Sequence, residues 1–143
     1  MTRRIMLDST PPGKLCKPNP MPEILRWQAL MISAGMELIV PEIADFEVRR
    51  NLLLESRLRS LAKLDDLKIA LIYQPITTAT MLKAAELRAD ARSRDRPTAD
   101  PKELDGDVIL AGQAIEAGAM IATENVGHLS RYVSAKHWSV IGS

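Results

Sequence analysis

Several protein classes are excluded by what this chain does not contain. It holds one cysteine, Cys16, so neither an intrachain disulfide nor a cysteine zinc site can form. A lone thiol fits a reducing interior. Two Trp, two Tyr and one Phe are its aromatic residues, so the core falls to Leu, Ile, Val, Ala and Met, and few rings are available to stack on nucleobases. No Gly-rich loop ending in Gly-Lys-Ser/Thr occurs, which argues against a P-loop nucleotide enzyme. No segment has the length and apolarity of a membrane span. Residues 1–8 lack the apolar run of a secretory signal. The expectation is a cytoplasmic protein with no membrane partner. The formal net charge is +1, which neither requires nor excludes a nucleic-acid partner, because a local basic patch can hold phosphate under a near-neutral total.

What is present suits one domain spanning residues 1–143, long enough to close a single core. Residues 4–7 form a short apolar run that ends at Asp8 and predict a first strand. Residues 9–22 hold five prolines and are expected to be a loop. A helix is predicted over 23–34, stopped by Gly35, and a second strand over 37–40. Pro41 suits a helix start, with a helix to about 55 and another over 57–73. Pro75 ends that pattern. Thr77 or Thr78 can cap a helix reaching about 94, and 96–101 read as loop. A helix opening near Asp107, a strand over 119–123, a short turn near Val126 and a last strand over 138–141 complete the chain. Short strands alternating with helices predict an α/β domain around a parallel sheet.

Helical geometry then sorts the acids, since residues advance by about 100° each. On the 41–55 helix, Ile43, Phe46, Leu53 and Leu54 fall on one face, and Glu47 and Arg50 share it, whereas Asp45 and Glu55 do not. A Glu beside a buried stripe needs a partner. An i,i+3 pair with Arg50 is the plain explanation, and a functional carboxylate is the other. On the later helix Asp107 shares a face with Leu110, Ala111 and Ala114, and Gln113 and Glu116 fall on the opposite, wet face. Asp105 suits an N-cap; for Asp107 a helix-dipole contact competes with a site role. Asp8 alone would be read as a turn residue. In open parallel sheets, however, ligands bind beyond the carboxyl ends of strands. Asp8 and Thr123 each end a predicted strand, and Asp107 can reach the same edge. Converging carboxylates point to a divalent metal ion, and a metal ion points to phosphodiester hydrolysis.

Ile5-Met-Leu-Asp8, Val40-Pro-Glu-Ile-Ala-Asp-Phe-Glu47-Val-Arg-Arg, Asp107-Val-Ile-Leu-Ala-Gly-Gln-Ala and Thr123-x-Asn125-x-x-His128-Leu follow one another over nearly the whole length. In order and spacing they resemble the PIN-domain ribonucleases, most closely the VapC-type toxins of bacterial toxin–antitoxin pairs. That resemblance implies a three-layer α/β/α fold with a mainly parallel sheet. It implies that Asp8, Glu47 and Asp107 hold Mg²⁺ or Mn²⁺ and that RNA is cut to leave a 3′-hydroxyl and a 5′-phosphate. Thr123 and Asn125 would hydrogen-bond the carboxylates or the scissile phosphate, and Ser9 would orient Asp8. The chain departs from the pattern at His128, where the family often has another acid, and at Leu129, where it has Phe. His128 would contact phosphate or relay a proton, and its plain reading is a half-buried surface residue. The Pro-rich stretch after Asp8 is a further departure. A cognate antitoxin and a homodimer are also implied.

RNA placement would rest on Arg49, Arg50, Arg57 and Arg59, or on Arg88, Arg92, Arg94 and Arg96, unless these are solvated helix faces with pairs such as Glu55 with Arg59. Val48 and Leu52 lie away from the Ile43 stripe and read either as two-sided core packing or as a groove for an antitoxin segment or a second copy. Two other functions stay open. One is a catalytically weak PIN-like module that binds RNA or protein without cutting. The other is a phosphotransfer receiver, matched less well because receivers group two acids after the first strand.

Overall fold

A computed structural model describes residues 3–94 and 101–142, with the backbone alone at 91–94 and 101–104. Arg92, Arg94 and Arg96 of the second basic cluster therefore fall outside the described side chains, as does most of the loop expected over 96–101. The elements run β1 (Arg4–Leu7), α1 (Thr10–Leu15), α2 (Pro22–Ser33), β2 (Glu37–Pro41), α3 (Glu42–Leu54), α4 (Leu58–Ala70), β3 (Ile72–Gln74), α5 (Thr78–Arg94), α6 (Pro101–Ala117), β4 (Met120–Thr123), α7 (Val126–Leu129) and β5 (Ala135–His137), with a 3₁₀ turn at Trp138–Val140.

The described strands form one sheet in the order β3-β2-β1-β4-β5, and every pairing is parallel. Side chains alternate across it, as the pleat requires. Ile5 and Leu7 of β1, with Leu38 and Val40 of β2, enter a core that also takes Trp27 and Leu64. Met6 and Ile39 point the other way, into a second core with Leu110, Ile121 and Leu129. Helices thus cover both faces of the sheet, and β1 is apolar at successive positions because both sides are buried. This is the expected three-layer α/β arrangement. Cys16 lies in the first core at 1% exposure, and burial pushes its thiol up to about 11.

Three expectations are overturned locally. Residues 10–15 are helical although they hold Pro11 and Pro12. Both prolines sit in the first turn, where a helix needs no amide donor, and both are buried. A fifth strand, β3, lies where the helix over 57–73 was expected to continue. The leucine period runs through Leu71, but α4 stops at Ala70 and Ile72–Gln74 pair with Ile39–Pro41. The last strand is 135–137, not 138–141; Trp138 turns inward and packs edge-on against Trp27 at 5.9 Å. Gly35 at φ 79° and Gly118 at φ 62° end α2 and α6 in the left-handed region, where a glycine costs no strain. Among the described residues no helix is long and apolar enough to cross a membrane.

Candidate metal and nuclease site

The strand order reverses between β1 and β4: the chain winds from β1 outward through β2 and β3, then returns to build β4 and β5 on the other side. Such a switch point opens a crevice beyond the carboxyl ends of the two strands. Asp8 directly follows β1 and Thr123 ends β4. Leu7 is in register with Ala122, so the two polar residues stand side by side. The Thr123 hydroxyl, fully buried, donates to Asp8 Oδ2 at 2.7 Å, and its oxygen accepts the Asn125 amide at 2.8 Å. The Ser9 backbone amide donates to Asp8 Oδ1 at 2.7 Å. The Ser9 contribution is therefore its N–H, with no side-chain cap on α1. Each Asp8 oxygen accepts one hydrogen bond and keeps lone-pair capacity for a further ligand.

Glu47 and Asp107 arrive from two helices that also meet this edge. Because β2 ends there, α3 begins there and carries Glu47 in its second turn. The last turn of α6 lies at the opposite edge, next to the start of β4, so its earlier half returns to the crevice. Helix α6 starts at Pro101, ahead of the expected position, which places Asp107 in the second turn. A first-turn dipole contact no longer accounts for it. Asp105 is not an N-cap; it is mostly exposed and pairs with Arg88 at 3.2 Å. Glu47 is half-buried, and its carboxyl is pushed up to about 7, chiefly by burial, then by the negative charge of Asp8. Arg50 offsets part of this, and Asp107 adds to it. A Cβ placed on Gly106 would stand 3.0 Å from Glu47 Oε2, so the carboxylate lies against the backbone of α6 beside Asp107. His128, on α7, holds Nδ1 3.7 Å from Asp107 Oδ2, with its own side chain 43% exposed. The three acids, Thr123, Asn125, Ser9 and His128 thus gather at one edge.

Arg50 follows a different course. It lies over the Phe46 ring at 5.6 Å and reaches the Asn51 side chain, while its charge is still felt at Glu47. Two members of the first basic cluster, Arg49 and Arg57, are engaged in ion pairs. Arg49 bridges Asp45 and Asp65, and Arg57 pairs with Glu55, where Arg59 was expected. The face assignment on α3 was also rotated. Phe46, Leu53 and Leu54 are exposed, whereas Asp45 is buried against Arg49 and Lys68. Val48 is core, and Leu52 packs against it.

Two groups were not singled out from the sequence. Glu124 accepts from Lys14 at 2.6 Å and from Trp138 Nε1 at 3.0 Å, and the Lys14 ammonium holds its carboxyl below the usual range. Its place directly after Thr123 was the available signal. Gln113, assigned to the wet face, is fully buried. Its side-chain oxygen accepts the Ile43 amide, and its side-chain nitrogen donates to the Gln74 carbonyl. Nothing in the helical period announces it.

No protein-family model and no curated protein matches the chain. Solved structures do. A chain in the crystal structure of VapBC2 from Rickettsia felis, bound to a DNA fragment from their promoter, matches with a TM-score of 0.77 at 15% identity, over 94% of this chain and 98% of that one. For DNA-bound VapBC from Salmonella typhimurium the values are 0.73 and 21%, over 96% and 99%. For VapBC-1 from nontypeable Haemophilus influenzae they are 0.71 and 18%, over 95% and 98%. At such identities the likeness is one of fold. The similarity to VapC-type PIN domains seen in the sequence holds in three dimensions, and the chain has that fold.

Proposed function

We propose that the chain is a metal-dependent endoribonuclease and the toxin of a toxin–antitoxin pair. The observation that carries this reading is the meeting of negative charge from Asp8 and Asp107 at Glu47, in the crevice where the sheet order reverses. The donor set is oxygen-rich, which suits Mg²⁺ or Mn²⁺. Among the described residues no group of three His, Cys, Asp or Glu side chains is placed closely enough to hold a metal ion as it stands. A cation bound among Asp8, Glu47 and Asp107 would offset the repulsion between their carboxylates and draw them together.

Asp8 and Asp107 would hold the ion directly, and Glu47 directly or through water. A divalent ion held there would supply Lewis acidity toward water and toward the phosphate oxygens. Thr123 and the Ser9 amide hold the Asp8 carboxylate in place through one hydrogen bond to each oxygen. Glu47 orients the attacking water. Asn125, exposed beside Thr123, hydrogen-bonds the scissile phosphate. His128, with Nδ1 3.7 Å from Asp107 Oδ2, contacts the phosphate or relays a proton. Arg50 adds positive charge for the RNA backbone.

The partners follow from the fold and the surface. The structures of like fold include VapBC assemblies. Here a groove of about 540 Å³ along α3 is lined by Phe46, Arg49, Arg50, Leu53 and Leu54. Exposed apolar side chains of this kind suit a covering protein segment, and we assign the groove to the antitoxin or a second copy of the chain. The test is Mn²⁺-dependent cleavage of single-stranded RNA by the purified chain, with Asp8→Asn alongside. Loss of cleavage in the variant is expected. Equal cleavage by both would remove Asp8 from the mechanism. Mn²⁺ binding without any cleavage would favour a binding module.

A further inference from the structure

Glu47 and Asp107 come from α3 and α6, and two residues of α6 touch α3 on the same side as this approach. Gly106 stands in the interior of a 17-residue helix, where glycine is a poor choice relative to alanine. Its φ is not positive, so no special backbone conformation calls for it. What calls for it is space, because the nearest atom to an added Cβ is Glu47 Oε2 at 3.0 Å. Seven residues later, two turns along and on the same side of α6, Gln113 touches α3 again. Its Oε1 accepts the amide of Ile43 at 3.2 Å. That amide is in the first turn of α3, where a helix cannot satisfy its own donors. Gln113 is also tied to β3 in both directions: its Nε2 donates to the Gln74 carbonyl at 2.9 Å, and Gln74 Nε2 donates to the Gln113 carbonyl at 2.9 Å. Ile43 and Glu47 are four residues apart and share a face of α3. Gly106 against Glu47 and Gln113 against Ile43 are therefore two points of one helix contact.

We infer that Gly106 and Gln113 are positioning residues: the glycine leaves the space that the Glu47 carboxylate occupies beside Asp107, and the glutamine clamps α3 to α6 at that separation. The inference rests on the metal-binding reading above. A methyl group at 106 displaces a flexible carboxylate and little else, so it alters the site while helping the helix. Removing the amide at 113 frees the start of α3 and leaves the Ile43 donor without its partner.

The experiment measures Mn²⁺ affinity by calorimetry and thermal stability in chelator on the full chain, for the wild type, Gly106→Ala and Gln113→Met. Gly106→Ala is expected to melt at the same temperature or higher and to bind Mn²⁺ about tenfold more weakly, the range for groups supporting a metal ligand. Gln113→Met, close in length but unable to hydrogen-bond, is expected to melt lower and also to bind about tenfold more weakly. Wild-type affinity in Gly106→Ala would overturn the assignment of Gly106, even if Gln113→Met failed to fold. Wild-type affinity in a folded Gln113→Met would reduce Gln113 to a packing role. A wild type that binds no Mn²⁺ would instead remove the metal reading itself, and this inference with it.

Discussion

Removing the charge of Glu47 should make the metal-free protein more stable at pH 8 and change it much less at pH 5. The Glu47 carboxyl titrates at about 7 in the folded chain against an ordinary 4.5, from burial first and the Asp8 charge second. Its folded-state value is raised, so between these two pH values the folded state binds more protons than the unfolded one. Stability must then fall as pH rises from about 4.5 to about 7 and level off above. The full displacement corresponds to about 3 kcal/mol. The side chain is only part-buried, and solvent screening brings the expected loss to about 1 kcal/mol. Urea titrations in chelator at pH 5 and pH 8, on the wild type and Glu47→Gln, read this directly. The variant should lack this part of the wild-type decline. Mn²⁺ at pH 8 should restore the wild type and do less for the variant. Parallel pH profiles for the two proteins would refute the electrostatic account of the site.

Thr123→Val keeps the shape of a fully buried residue but removes the donor to Asp8 and the acceptor of the Asn125 amide. It should cost about 1–3 kcal/mol in chemical denaturation and reduce RNA cleavage; a neutral result would make the hydroxyl dispensable. Leu64→Ala, in the core on the far side of the sheet from Leu110, should cost about 2–5 kcal/mol and leave Mn²⁺ affinity unchanged at temperatures where the variant is folded. Leu53→Asp changes a side chain 60% exposed on α3. It should shift stability by no more than about 0.5 kcal/mol and abolish binding of a co-expressed antitoxin in a pull-down. A large loss of stability would show that this face is structural.

The parts of the fold that could be read from the sequence are those in which a local pattern carries a tertiary meaning. Residues 5–7 and 120–122 are apolar at successive positions because helices cover both faces of the sheet, and each run stops where the crevice begins. Asp8 and Thr123 were therefore legible as edge residues. Helix α1 was hidden because prolines signal a break unless they fall in a first turn. Strand β3 was hidden because Leu71 continues the period of α4 past its true end. The rotation error on α3 has one cause. Phe46 and Leu53 were taken as buried because they are apolar, yet they face the groove, and Asp45 is inside because Arg49 and Lys68 travel with it. Gln113 could not be read at all: its partners are backbone groups of α3 and β3, fixed only after the chain has folded.

The single thiol has a practical consequence. Cys16 is shielded in the interior and resists deprotonation, so a modifying reagent reaches it only when that layer opens. Its labelling rate is a built-in clock for conformational opening, and a fluorophore attached through a cysteine introduced on the surface would meet almost no competing reaction in the native protein.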